Sequence, residues 1–256
     1  MMNYISNKVY GFNNKLNKWL SDRYFRREIM IGNSNEGVHY ISFTFDDFPK
    51  SASTTALDIL NKYEAKGTYY TSYLNRDKVL FGKKLYSGSD LIRVQEDGHE
   101  IGCHTYDHID CKKENYFKVK NSISENDKHL RTIINDLEFK SFSFPFGRYD
   151  FLSKTIVNKR FLTGRTTKSG INHGLVDVCL LKANQLYSNT IPFQKCFDLI
   201  DLNKKKNGWL IFYTHEVEEE PTQFGCTPEY FEKVVNYAVK SNAKIYSVSE
   251  SYELIN

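Results

Sequence analysis

The sequence predicts an α/β fold, a parallel sheet with helices outside it, and three observations support this. Strand-like and helix-like stretches alternate from about residue 40 to the C-terminus, the order that buries parallel strands behind crossover helices. About seven or eight such units fit in roughly 220 residues, which favours a closed or nearly closed barrel over an open doubly wound sheet. Four strands also end in polar or conformationally special residues, at the rim where such barrels collect their chemistry. Alternation alone does not demonstrate closure, so the open sheet stays the alternative.

The elements follow in order. Ile5, Val9, Phe12, Leu16, Trp19 and Leu20 recur at helical spacing among lysines and arginines, predicting an amphipathic helix over 3–27. It either packs on the domain or lies on an anionic bilayer surface at the inner face of the membrane. "IGNSNEG" (31–37) reads as a linker, so residues 1–37 form an extension and 38–256 the main domain. In 40–45, Ile41, Phe43 and Phe45 alternate with Ser42 and Thr44, a strand. A helix over 53–66, stopped at Gly67, leads to the strand "TYYTSYL". Then come a helix at 89–97, the strand "HEIGCH", a helix at 115–136, the strand "FSFPFG" and a helix at 151–160. The strands "LTGRTT" and "LLKANQLY", a helix at 193–205, the strand "WLIFYTH", a helix at 228–241 and a strand near 244–248 complete the chain.

Composition narrows the function classes. The 256 residues are 40% hydrophobic and 15% aromatic, enough for a packed core, and the net charge of +4 is too small and dispersed to indicate nucleic acid. Five cysteines, an odd number without a CxxC pair, suggest no disulfide framework and a reducing compartment. The N-terminus has no secretory h-region and no stretch is long enough to span a bilayer, so the expected location is cytoplasmic. Nothing in the sequence reports an oligomeric state.

The strand ends carry the chemistry. "ISFTFDDFPK" sets Asp46 beside Asp47, where each raises the cost of ionising the other. A nearby divalent cation offsets that repulsion, with one carboxylate as ligand and the other free to take a proton. Surface solvation or a cap on the following helix is the plain alternative. His104 and His108 are spaced to chelate one ion from a helical turn or tight loop, and with a carboxylate they make a three-ligand site with an open position. A Cys/His knuckle through Cys103 and Cys111 is disfavoured because adjacent strand residues point apart. "FPFG" and His215, in "FYTH", end two further strands. Phe48, Tyr69, Tyr70, Tyr73 and Tyr149 lie near the rim as candidate rings for stacking on a substrate. His99 reads as structural.

Together these stretches resemble the polysaccharide deacetylase family (carbohydrate esterase family 4, the NodB-homology domain) over about residues 38–250. "TFDD" is similar to its first motif, "HTYDH" to its second, "FPFG" to its third and "THE" to its last. The resemblance implies an irregular (β/α)7-type barrel and hydrolysis of an acetamide by water activated at one divalent metal ion, zinc by default. It implies Asp46 as base, Asp47, His104 and His108 as metal ligands, the Phe146 backbone as oxyanion donor and His215 as acid. Pro145, Phe146, Tyr149 and His173 are expected at the substrate. Two positions depart from the pattern. Ser143 stands where many members carry an arginine bracing the base, and Arg165 is the candidate to replace it from a neighbouring strand. For the motif-four aspartate, Asp177 is the nearest candidate. The implied substrate is an N-acetylated amino sugar, here an intracellular saccharide such as a lipid- or nucleotide-linked precursor. A hydrolase of another linear amide or an O-acetyl ester, or a non-catalytic saccharide-binding module, are the alternatives.

Overall fold

The computed structural model describes residues 26–32 and 37–256. The predicted amphipathic helix therefore lies outside the described residues, apart from Arg26 and Arg27. Chain order is β1 (Glu28–Ile31), β2 (Tyr40–Phe45), a π-helical turn (Ala52–Ala56) running into α1 (Leu57–Lys62), β3 (Gly67–Thr71), β4 (Val79–Leu80), β5 (Lys83–Lys84), α2 (Gly88–Glu96) and β6 (Glu100–Cys103). There follow α3 (Tyr116–Leu130), β7 (Ser141–Ser143), α4 (Phe151–Arg160), β8 (Thr163–Arg165), β9 (Gly174–Asp177), β10 (Asn184–Gln185), α5 (Phe193–Lys206), β11 (Trp209–Thr214), α6 (Pro228–Lys240), β12 (Lys244–Ile245) and α7 (Val248–Ile255).

The main sheet runs β10-β11-β2-β3-β6-β7-β8, parallel at every step. Leu181, just before β10, bridges Arg165 at the end of β8, so an irregular ring of seven strands meets itself at a seam of one bridge. β12 pairs the first residues of β2 on the side where β3 pairs the last ones.

Strand alternation distributes the core. Ile41, Phe43 and Phe45 of β2 join Leu210 and Phe212 of β11 and Phe231, Val234 and Val235 of α6 in the large apolar layer beneath the helices. On the other face of β11, Trp209, Ile211 and Tyr213 pack with Leu181, Ala183 and Val248. Ser42 and Thr44 are buried as well, and their hydroxyls are satisfied: Ser42 Oγ accepts from Trp209 Nε1 at 3.0 Å, and Thr44 Oγ1 donates to the Phe212 carbonyl at 2.9 Å. A strand covered on both faces needs such partners for its polar residues.

Several boundaries differ from the sequence reading. The helix before β3 ends at Lys62 rather than running to Gly67, because Glu64 turns left-handed at φ 53°. Gly67 opens β3 instead, where a Cβ would sit 2.9 Å from Leu60 Cδ1. "LLKANQLY" pairs only through Leu181, Asn184 and Gln185. β1 takes up Ile31, first residue of the supposed linker, and pairs antiparallel with β9. Beside it the Arg27 guanidinium donates to the carbonyls of Asn158 (3.2 Å) and Phe161 (2.7 Å) at the end of α4, where helix carbonyls lack intrahelical partners.

His99 is structural, as its sequence context implied. Its Nδ1 accepts the Gly67 N–H at 2.9 Å, so Nε2 carries the proton and donates to Asn61 Oδ1 at 3.1 Å. Burial, and secondarily Lys66, pushes its pKa down to about 4. The unfolded chain therefore binds this proton more tightly. Stability contributed by neutral His99 is present above about pH 6.5 and is lost as pH falls from there towards 4, by on the order of 3 kcal/mol in the limit. Denaturant titrations at pH 7 and 4.5 should show a smaller loss for His99→Gln than for the parent chain; equal losses would contradict the assignment.

Candidate metal centre and active-site cleft

The two aspartates at the end of β2 are separated by backbone geometry. Asp46 still follows the strand, its N–H donating to the Thr214 carbonyl at 2.9 Å. Asp47 and Phe48 then turn left-handed, at φ 55° and 51°, so the second carboxylate swings onto the rim while the first stays inside. Thr105, His108 and Phe146 share this conformation, at φ 65°, 50° and 59°. Each non-glycine residue there is strained by about 1–3 kcal/mol, and such residues cluster where function holds them.

On the rim, single ligand atoms of Asp47, His104 and His108 all lie within 4.8 Å of one another. The histidines come from a loop after β6, not a helical turn, with ring centroids 4.9 Å apart. His104 Nδ1 donates to the Ser143 carbonyl at 2.7 Å, which fixes the tautomer and leaves the Nε2 lone pair free, as a carbonyl behind a ligating histidine does. Burial pushes the His104 pKa down to about 4, with Asp46 pulling it up and His108 down, so the ring is neutral at pH 7. Asp47 Oδ1 accepts from Asn75 Nδ2 at 3.1 Å and lies 3.4 Å from His108 Nε2. Two imidazoles and a carboxylate, with no lysine or arginine ion-paired to Asp47 among the described residues, fit a divalent cation.

Asp46 faces inward to Arg165, which is completely buried. The guanidinium donates to Asp46 Oδ1, to Ser143 Oγ at 2.6 Å and to the Thr166 carbonyl at 3.3 Å. It also lies 5.0 Å from the Tyr70 ring centre and 5.2 Å from that of Tyr213. Burial alone would push the Asp46 carboxyl up, but the Arg165 charge, with His104 and His215, outweighs it and holds the pKa below the ordinary carboxylate range. Arg165 is the direct cross-strand partner of Ser143. That register explains how an arginine from β8 reaches the position that Ser143 leaves open.

His215, one residue past β11, directs its Nδ1 proton to the Phe224 carbonyl at 3.2 Å, and its Nε2 lies 3.8 Å from Asp47 Oδ2. These groups line one cleft of about 620 Å³.

Comparison with known proteins places this arrangement. A family model described as polysaccharide deacetylase matches residues 33–163, just over half of the chain. The chain belongs to the polysaccharide deacetylase family. Among its relatives, a chitin deacetylase of Arthroderma benhamiae is 31% identical over 122 residues, covering 47% of this chain and 32% of that protein. A chitooligosaccharide deacetylase of Azorhizobium caulinodans is 32% identical over 126 residues, 49% of this chain and 55% of that one. The match thus spans less than two thirds of either relative. A family 4 acetyl xylan esterase from Clostridium thermocellum, solved in complex with a cobalt ion, superposes with a TM-score of 0.60 at 19% identity over 84% of this chain and 91% of that one. A family 4 pseudoenzyme from Bacillus anthracis gives 0.56 at 12% identity over 88% of this chain and 68% of that one. Such likenesses establish the deacetylase fold.

Within that deacetylase fold, Asp46, Asp47, His104, His108, Arg165, Phe146 and His215 come together as the sequence suggested. Pro145 is buried beneath the rim, while Phe146 is 58% exposed and its ring packs edge-on against His108 at 4.6 Å. Tyr149 and His173 line a neighbouring cavity rather than the cleft. Asp177 is not the partner of His215: it pairs with the buried Lys154 at 2.5 Å and caps the turn after β9. Phe48, Tyr69 and Tyr70 are fully buried, with Tyr69 stacked on Phe45 and Phe48 on Tyr86, so they are core and cannot meet a sugar. Cys103 and Cys111 are buried thiols outside the triad. Besides Phe146, the aromatic cleft walls are Phe81, Tyr187, Tyr213 and Phe224. Phe81 tips the β4–β5 hairpin against Phe224, centroids 6.0 Å apart. "LFGKK" carries the glycine turn that marks a hairpin, a signal that could have found it.

Proposed function

We propose that the chain hydrolyses the N-acetyl group of an amino sugar, with Asp46 as general base and His215 as general acid. The observation that carries this reading is the pairing of a three-ligand rim cluster with a separate inward carboxylate kept ionised by buried Arg165. A divalent ion held by Asp47, His104 and His108, zinc by donor type, would polarise the acetyl carbonyl and acidify water. Asp46 takes a proton from the attacking water, an ionised acceptor fixed in direction by Arg165 and Ser143. The Phe146 N–H has no hydrogen-bond partner among the described residues, which supports its use as an oxyanion donor. His215 delivers a proton to the departing amine through Nε2, since Nδ1 is committed to Phe224. All five cysteines are buried free thiols, which supports a reducing compartment and an intracellular saccharide.

The test is acetate and free-amine release from a panel of N-acetylated saccharides, with an O-acetylated xylan arm, before and after a chelator. Equal amounts of acetate and amine are expected, falling at least about 100-fold on chelation and returning with zinc or cobalt. Acetate release indifferent to the chelator would overturn the reading, and release from the ester arm alone would make the chain an esterase.

A further inference from the structure

Beyond the Phe146–Gly147 turn lies a second cavity of about 690 Å³ whose wall shares Thr167 with the cleft. Gly147 lets the two walls meet closely: at φ 65°, a Cβ there would come within 2.1 Å of Thr167 Oγ1. The cavity is lined by Arg26, Lys112, Arg148, Lys168, His173 and Lys182, against the acids Asp150 and Asp177. Both acids are already committed, Asp177 to buried Lys154 at 2.5 Å and Asp150 to the first turn of α4, where it accepts the Ser153 N–H at 2.8 Å. Arg26 and Arg148 have partners in Glu28 and Asp110, each at 2.8 Å. Among the described residues, no carboxylate lies within ion-pair reach of Lys112, Lys168 or Lys182. The Lys182 ammonium reaches only the Ile171 carbonyl, at 3.4 Å. Unneutralised like charges around one concavity repel each other, and an anion bound among them relieves that repulsion.

We propose that this cavity binds the phosphate or diphosphate of a phosphorylated N-acetyl amino sugar whose acetamide sits at the Asp47–His104–His108 cluster. The inference rests on the deacetylase reading and narrows its substrate class. A neutral glycan offers no counter-charge to these three ammonium groups, of which Lys112 and Lys168 are exposed and Lys182 is half-buried. The same diphosphate chemistry occurs in nucleotide-linked and in polyprenyl-linked sugars, and the assay separates them.

The test compares kcat/KM for acetate release from N-acetylglucosamine 1-phosphate, a nucleoside-diphosphate-linked N-acetylglucosamine, a polyprenyl-diphosphate-linked one and a neutral chitooligosaccharide. At least one phosphorylated substrate should exceed the neutral one by about tenfold or more, mostly through KM. The faster of the last two phosphorylated arms identifies the source. The pair Lys168→Glu with Lys182→Glu should remove that margin and leave the neutral substrate within about twofold; the milder pair Lys168→Gln with Lys182→Gln serves if the first does not fold. Equal losses on all substrates, or no change, overturn the proposal. If no sugar releases acetate, the deacetylase reading fails, and the cavity is judged on chelator-treated protein by calorimetric titration with N-acetylglucosamine 1-phosphate. Binding that salt weakens and the lysine pair abolishes supports the anion site, whereas absent binding or equal binding by both proteins overturns it.

Discussion

Asp46→Asn should lower turnover by about 10²–10⁴-fold while leaving the metal content of the purified protein unchanged. The amide is nearly isosteric and keeps an oxygen for Arg165, so the barrel and rim cluster should survive. What is lost is the cleft carboxylate that Arg165 holds ionised and that stands outside the rim triad. Because a base is removed, the activity that remains should lose the acidic limb of its pH profile. Metal analysis alongside steady-state kinetics separates this from ligand loss: a variant that drops its metal, or keeps near-parental turnover, would show that Asp46 is not the base. Asp47→Asn is the matching contrast, expected to lose metal and activity together.

Arg165→Met should have the largest effect on stability, about 3–5 kcal/mol of destabilisation at pH 7. The substitution keeps much of the aliphatic volume between Tyr70 and Tyr213 but strands the Asp46 carboxylate, 6% exposed, without its counter-charge. In the parent chain the Asp46 pKa is depressed, so its stabilisation is present above the unfolded value near 3.8 and is lost as pH falls below it. In the variant, burial outweighs the weaker pull of His104 and His215 and raises that pKa, so stability should instead improve as pH falls through the new value. Denaturant melts of chelator-treated protein across pH 4–7 read this reversal directly. Adding Asp46→Asn to Arg165→Met should recover much of the loss, because the stranded charge is gone. A double variant no more stable than Arg165→Met alone would show that the arginine acts through packing rather than charge.

The parts legible in the sequence were those whose chemistry demands unusual residues at fixed spacing. "TFDD" and "HTYDH" place carboxylates and imidazoles at the ends of apolar strands, and α4 forms over the bounds the sequence predicts, its first turn capped by Asp150. Contacts set by cross-strand register were not legible. Nothing local to Ser143 or Arg165 shows that they face each other across β7 and β8. The same holds for β1 and β9, which form a strand pair only because distant segments meet. Helix α7 escaped because its polar residues break the apolar pattern, although Ser249 and Ser251 are buried with it. Tyr69 and Tyr70 were misplaced for a related reason: in a strand covered on both faces, an aromatic beside the site is as readily core as binding surface.

The left-handed backbone at Asp47, Phe48, Thr105, His108 and Phe146 has an evolutionary consequence. Glycine or asparagine at those places would relax the chain, so selection for heat tolerance alone would favour losing the present residues. The barrel would outlast its chemistry under that pressure, and descendants that kept the shape but dropped turnover would be the expected drift products.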